Sequence, residues 1–409
     1  MSKEERELKV KIKGKIRDLL AFSKLTSKRE KKIDKASAEP IEADFLKDLA
    51  KNLHPNYQHL IIDKIIKETK YSQTFRLIAD PESETKKPAY FRAGQYLSLK
   101  VNVNGYDITR PYSISSSPTD ATRGFYEITI KKEENGFLTN YIWENWREGT
   151  KVISSGPEGF FYYQPLRDSK NIIGIAGGSG ITSFRSIAKE ITEGNLDINL
   201  TILYGCSDEE DILFYEELKD LESKFPEKIK LVIALSCEEI TMEGCEKGFI
   251  SSDIIQKYAD IRNNTFFICG PQMMYDYLDS EIDKLKIPEE QIRKEVYGEV
   301  KNVLKFPDYP RENIEKVFNI KVHIGNVLKE IPAMATETIL VSMEKAKIRA
   351  PSSCRSGECG FCRSYLVSGE IFVPHKSDNR RAAEKEFNYF HPCSSYPTSN
   401  LEIVVPRKK

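Results

Sequence analysis

Three cysteines spaced C-x4-C-x2-C, namely Cys354, Cys359 and Cys362, share one short loop, and a fourth, Cys393, lies inside HPCSSYP. No other feature restricts the fold as strongly, because four thiolates have to meet from two separate stretches of chain. The spacing is that of a [2Fe–2S] centre held by four cysteines. A four-cysteine zinc site is the other reading. Structural zinc sites usually draw on two close-spaced couples, and only one such couple is present.

Eight cysteines in 409 residues are too few for a disulfide scaffold, and their late clustering fits a metal site in a reducing compartment. The longest apolar runs, at residues 171–176 and 231–235, fall far short of the ~18 residues of a membrane span. No apolar leader follows MSKEERELKVKIKGK. A soluble, cytoplasmic protein is expected. The 62 basic residues balance 62 acidic ones, which argues against a nucleic-acid partner held by bulk charge. Cys206, Cys237 and Cys245 lack metal-ligand spacing and read as packing residues. His391, two residues before Cys393, reads as a polar surface residue.

The length predicts between two and three domains at about 150 residues each. Residues 1–54 form a charged, partly helical extension. Its first 36 residues carry 13 Lys or Arg against 6 Asp or Glu, and Phe45, Leu49 and Leu53 predict a short amphipathic helix. Residues 1–30 could rest on a membrane surface as a basic amphipathic segment. Residues 55–167 contain closely spaced strands rich in branched and aromatic residues, which predict a small antiparallel β-barrel. Residues 168–298 alternate short buried strands with helices, the texture of an α/β doubly wound parallel sheet. Residues 299–313, with Pro307 and Pro310 among charges, read as a linker. Residues 314–409 form the last compact unit.

Two motifs suit phosphates. Arg110-Pro111-Tyr112-Ser113 places a phosphate-pairing guanidinium beside an aromatic face and a hydroxyl, although alone it could be an edge strand. Asn135-Gly136-Phe137-Leu138-Thr139-Asn140 opens a helix whose free N–H groups favour an anion. In the next domain, residues 174–182 (GIAGGSGIT) end a strand and start a helix, with Gly177, Gly178, Gly180 and Thr182 where a dinucleotide pyrophosphate would lie. A plain βα turn is the alternative. The stretch after the second strand reads CSDEED. It holds no base for a 2′-phosphate, so NADH is expected over NADPH.

Together with Phe91-Arg92-Ala93-Gly94-Gln95-Tyr96 and Cys269-Gly270-Pro271-Gln272-Met273-Met274, these motifs resemble the ferredoxin–NADP reductase superfamily. Residues 318–405 resemble plant-type ferredoxins, with Ser353 and SGEI at 368–371 fitting that pattern. The domain order resembles the phthalate dioxygenase reductase-like NADH:acceptor reductases. The resemblance implies an FAD-binding barrel, an NAD(H)-binding domain and an α+β β-grasp domain carrying [2Fe–2S]. It implies that Arg110 holds the flavin pyrophosphate, Pro111 and Tyr112 pack at the flavin, and Ser113 lies near its reactive nitrogen. Gly136, Leu138 and Thr139 then cover the phosphates, while Cys269, with Gly270 and Pro271, lies near the reactive nicotinamide carbon. Ser113 and Cys269 are thus the expected catalytic residues, and Cys354, Cys359, Cys362 and Cys393 the expected cluster ligands. Ser183 replaces the usual proline of the glycine loop and is expected to matter little.

The implied function is electron transfer from NADH through FAD and the cluster to a separate acceptor protein. A redox-sensing or docking flavoprotein, with slow turnover and a partner on the basic extension, is the alternative. Residues 314–409 carry 15 basic against 10 acidic residues, so the acidic docking surface typical of free ferredoxins is not carried over. Two basic ends flank an acidic core. That split suits a ferredoxin unit that swings onto its own reductase, or equally an acidic partner.

Overall fold

The computed structural model describes residues 16–36, 44–134, 136–300 and 302–406. Residues 1–15, where much of the basic extension falls, and Asn135 of the helix-opening motif lie outside them. The chain divides into two units, Met1–Ala50 and Lys51–Lys409. In the first, helix α1 spans Ile16–Asp34, with Ile16, Leu20, Leu25 and Ile33 exposed. The expected amphipathic helix α2 forms at Phe45–Leu53. Its apolar residues Phe45, Leu46, Leu49 and Leu53 are also exposed. No helix among the described residues is long and apolar enough to cross a membrane.

The second unit opens with a barrel of β1 Gln58–Lys67, β2 Ser72–Ala79, β3 Tyr96–Val103, β4 Tyr106–Ser113, β5 Phe125–Lys131 and β6 Lys151–Ser154, with α3 Pro118–Thr122 and α4 Phe137–Asn145 between strands. The sheet order is β4-β3-β6-β1-β2-β5, antiparallel throughout. A single bridge, Ile114 to Ile128, joins its two ends. Alternation explains the core: Leu97, Leu99 and Val101 of β3 and Tyr126, Ile128 and Ile130 of β5 all point inward.

The nucleotide domain contains β7 Asn171–Gly177, α5 Ile181–Thr192, β8 Asn199–Cys206, α6 Tyr215–Lys224, β9 Ile229–Leu235, β10 Glu246–Lys247, α7 Ser252–Tyr258, β11 Thr265–Cys269, α8 Gln272–Leu285 and β12 Ile292–Glu295. Its strands are all parallel, in the order β10-β9-β8-β7-β11-β12. Both faces are covered. Ile172 and Ala176 of β7 enter one core, and Ile173 and Ile175 enter the other. This is why the strands read as continuous apolar runs.

The expected linker is not a free tether. Val303 and Tyr309 are buried against Tyr396, and the Tyr309 ring meets Phe372 edge-on at 5.2 Å. The apolar residues among its charges are what pack, each contributing about 1.5–3 kcal/mol by burial. The segment is a strap. It leads into β13 Val317–Ile324, β14 Val327–Met334, α9 Ile339–Lys345, β15 Ser364–Ser368, β16 Ile371–Phe372, α10 Ala382–Glu386, β17 Tyr389–Phe390, β18 Tyr396–Pro397 and β19 Leu401–Val405. The main sheet, β14-β13-β19-β15-β17, is mixed, with β13 and β19 parallel. Ile339, Leu340 and Met343 of α9 pack on it, giving the β-grasp form.

Candidate flavin, nucleotide and cluster sites

The barrel's edge strand and a helix start make the first site. Arg110, Pro111 and Tyr112 of β4 line a cavity of about 390 Å³ together with Gly136, Leu138 and Thr139. Gly136 is the N-cap of α4 and no side chain caps its N–H groups, so the helix end is left for an anion. Leu138 turns its side chain into the barrel core, which leaves its backbone to face the cavity. The half-buried Arg110 guanidinium donates to the Thr109 carbonyl at 2.9 Å and lies 3.7 Å from Glu344. Burial, and then the nearby charge of Arg355, pull its pKa below the ordinary arginine value. A guanidinium beside an uncapped helix start fits a flavin pyrophosphate.

Ser113 ends the same strand and is buried. Its hydroxyl lies 3.0 Å from the Tyr297 hydroxyl and accepts from Ser183 at 3.0 Å. The Ser183 hydroxyl also lies 3.9 Å from the Cys269 sulfur. The two expected catalytic residues are therefore brought together, and Ser183 is what joins them. Ser183, in the first turn of α5, stands where the resemblance expects a proline, and its hydroxyl makes contacts that a proline could not make. Cys269 is fully enclosed, and burial pushes its thiol up to about 12, so it stays neutral.

The glycine loop packs on the second motif. A side chain on Gly180 would meet the Cys269 carbonyl oxygen at 2.0 Å. Gly177 likewise abuts Met274 and Pro271, and Gly270 abuts Met274. Gly178, in contrast, has nothing within 4 Å of that position, so its face is open to a ligand. The Thr182 hydroxyl donates to the Ser179 carbonyl at 2.8 Å, bracing the turn. After β8, Glu209 is occupied by Thr241 and Met242, and Asp211 of the same stretch pairs with Lys131 of β5.

Sequence reasoning missed Tyr297 and Glu295. Tyr297 walls the cavity beside Arg110 and Tyr112. Glu295, paired in register with Cys269, is 3% exposed, and burial raises its carboxyl well above the ordinary range. The signal available was a Glu-Val-Tyr-Gly run closing the last parallel strand.

The four cluster cysteines form two close pairs. The Cys362 and Cys393 sulfurs are 3.3 Å apart, and the Cys354 and Cys359 thiols hydrogen-bond to each other. Two metal ions, each taking two thiolates, fit that pairing. Among the described residues, no three His, Cys, Asp or Glu side chains converge on one point. Loop N–H groups point at sulfur, Cys359 N–H to Cys354 at 3.4 Å and Phe361 N–H to Cys359 at 3.4 Å. Hydrogen bonding within the first pair lowers the Cys354 thiol below its ordinary value and raises that of Cys359. Cys359 is the exposed member of the four. His391 is not on the surface as expected: it is 2% exposed, and its Nδ1 lies 2.7 Å from the Gly357 carbonyl. The cluster loop folds over the ring and covers it.

Comparison with known proteins agrees with this layout. The oxidoreductase FAD-binding domain family matches residues 62–163, the oxidoreductase NAD-binding domain family residues 175–279, and the 2Fe-2S iron-sulfur cluster binding domain family residues 322–398. The glycine betaine monooxygenase reductase subunit of Chromohalobacter salexigens is 24% identical over 83% of this chain and 93% of its own. One subunit of the 1,2-phenylacetyl-CoA epoxidase of Escherichia coli is 27% identical over 85% of this chain and 97% of its own. Among solved structures, phthalate dioxygenase reductase superposes with a TM-score of 0.59 at 24% identity, covering 86% of this chain and 98% of that one. The chain is an oxidoreductase built of FAD-binding, NAD-binding and 2Fe-2S cluster binding domains in that order, and its fold is that of phthalate dioxygenase reductase.

Proposed function

We propose that this chain takes electrons from NADH and passes them, through FAD and a [2Fe–2S] cluster, to a separate one-electron acceptor protein. One observation carries the reading. Tyr297 is bonded to Ser113 at the flavin cavity, and the next residue, Gly298, donates its N–H to the carbonyl of Cys354. Two adjacent residues thus touch both redox sites. Bound flavin supplies the conversion of a two-electron hydride donor into single-electron steps, and a bound cluster supplies a one-electron carrier.

The protein's part is placement. Arg110 and the start of α4 would hold the flavin phosphates, and Pro111, Tyr112 and Tyr297 would flank the ring. Ser113, oriented by Ser183, offers a hydroxyl. Residues 177–182 and the start of α5 would take the nucleotide pyrophosphate, with Cys269, Gly270 and Pro271 beside the nicotinamide. Glu295, whose carboxyl is raised by burial, lies close by in register with Cys269. Cys354, Cys359, Cys362 and Cys393 would hold the cluster.

Two relatives are named as parts of a monooxygenase and an epoxidase, which favours an oxygenase component as the acceptor here. The cytoplasm, where thiols stay reduced, is the proposed location. The test is anaerobic mixing of the reconstituted chain with NADH. Rapid bleaching of both flavin and cluster, with two irons per chain and a much slower response to NADPH, is the expected result. Bleaching of neither centre, or equal use of NADPH, would overturn the reading.

A further inference from the structure

Strand β3 is buried on both of its faces. Leu97 and Leu99 fill the barrel core, while Tyr96 and Ser98, on the opposite face by the period of two, are only 2% and 4% exposed. The segment carrying the first cluster cysteine is what covers Ser98. The Ser98 hydroxyl lies 2.6 Å from that of Ser353, and both donate to the Glu158 carboxylate. Glu158 is itself clamped to Tyr96 by two backbone hydrogen bonds, of 3.0 and 2.9 Å. The Tyr96 ring stands edge-on to Tyr297 at 5.4 Å, so this outer face adjoins the wall of the flavin cavity.

The next two residues are tethered as well. The Cys354 carbonyl accepts from Gly298 N–H at 3.3 Å. The Arg355 side chain has no exposure and pairs with Glu299 of the strap and, at 2.6 Å, with Glu344 of its own domain. Arg355 also takes a φ of +62°, a conformation that a side-chain-bearing residue keeps only where its surroundings over-determine it. A guanidinium with no solvent depends on its carboxylates, and one of them comes from outside the ferredoxin fold. Residues 353, 354 and 355 are thus each bonded to something outside the β-grasp domain.

We propose that Glu158 and Glu299 are positioning residues that hold this segment against the outer face of the flavin barrel and so govern how fast an electron leaves the flavin for the cluster. The proposal rests on the electron-transfer reading above. In the step concerned, reduced flavin loses one electron and the oxidised cluster gains it. The two carboxylates move no proton and form no bond.

The test uses the full, reconstituted chain with Glu158→Ala, Glu299→Ala and Glu158→Gln. Stopped-flow mixing with NADH separates flavin bleaching from cluster bleaching, and hydrogen exchange on the oxidised protein reports on residues 96–100 and 352–356. In both alanine variants the flavin is expected to bleach at the wild-type rate. Cluster bleaching is expected to be about tenfold slower, the effect of losing a hydrogen bond to a charged group, and exchange at 352–356 should rise. Glu158→Gln, whose amide oxygen still accepts from both hydroxyls, should restore the rate. Cluster bleaching that keeps pace with the flavin, exchange that does not change, or a Glu158→Gln variant as slow as Glu158→Ala would each overturn the proposal. If an alanine variant fails to load flavin or iron, Ser98→Ala, which removes only a hydroxyl, takes its place, and an unchanged rate there counts against the tether. A wild-type chain that NADH does not reduce would defeat the underlying reading instead, and the exchange comparison would still decide the tether.

Discussion

Ser183 links Ser113 to Cys269 through one hydroxyl. With Ser183→Ala, Ser113 keeps only its Tyr297 partner and gains rotational freedom. Hydride delivery to the flavin is expected to slow, by up to about tenfold for one lost hydrogen bond, with the KM for NADH unmoved; stopped-flow flavin bleaching measures it. Glu190 offers a test by pH. Burial raises its carboxyl to about 7, against the partial relief of the Ala93 N–H. Between the ordinary carboxylate value and pH 7, the folded chain therefore keeps a proton that the unfolded chain has lost. Stability from this group is complete at low pH and declines as pH rises toward 7. Glu190→Gln should accordingly melt close to wild type at pH 4.5 and above it at pH 8. A gap that does not widen with pH would contradict this assignment.

Among the elements, the turn between β7 and α5 is held by main-chain contact. Gly180 presses on the Cys269 backbone so closely that even one methyl cannot enter without moving main chain. Gly180→Ala should destabilise the fold by about 1–3 kcal/mol, the usual cost of overpacking, and raise the KM for NADH, because the same turn carries the open face at Gly178. Thermal melts and steady-state kinetics would show both effects. The cluster loop is constrained differently, by two sulfur pairs and by tethers outside its own domain. Cys354→Ser should leave NADH-driven flavin bleaching intact while abolishing reduction of a cluster-dependent protein acceptor. Retention of that reduction would show that the electrons take another route.

At the scale of the molecule, the barrel and nucleotide domain are joined by a buried charge network. Arg185 of α5 pairs with Glu127 of β5 at 2.8 Å and with Glu217 of α6 at 2.6 Å, and Glu127 also takes Arg76 at 2.9 Å. Arg185→Met should cost about 3 kcal/mol, the low end for breaking a buried pair, since Glu127 keeps Arg76. Denaturant unfolding would measure it. Specific bonds at residues 353–355 join the ferredoxin unit to the barrel and the strap. Much of this protein was legible before any coordinates. Closely spaced strands rich in branched and aromatic residues mark the barrel, and short apolar runs alternating with helices mark the parallel sheet, whose strands are covered on both faces. Cysteine spacing and the glycine loops announce their chemistry because a metal centre or a pyrophosphate demands particular residues at short separations. Ser98, Glu158, Tyr297 and Glu299 carry no such local mark. They are ordinary residues from a strand, a loop, a strand end and a strap. Their partners lie in other domains, so their roles were decided only when the tertiary structure chose which faces would meet.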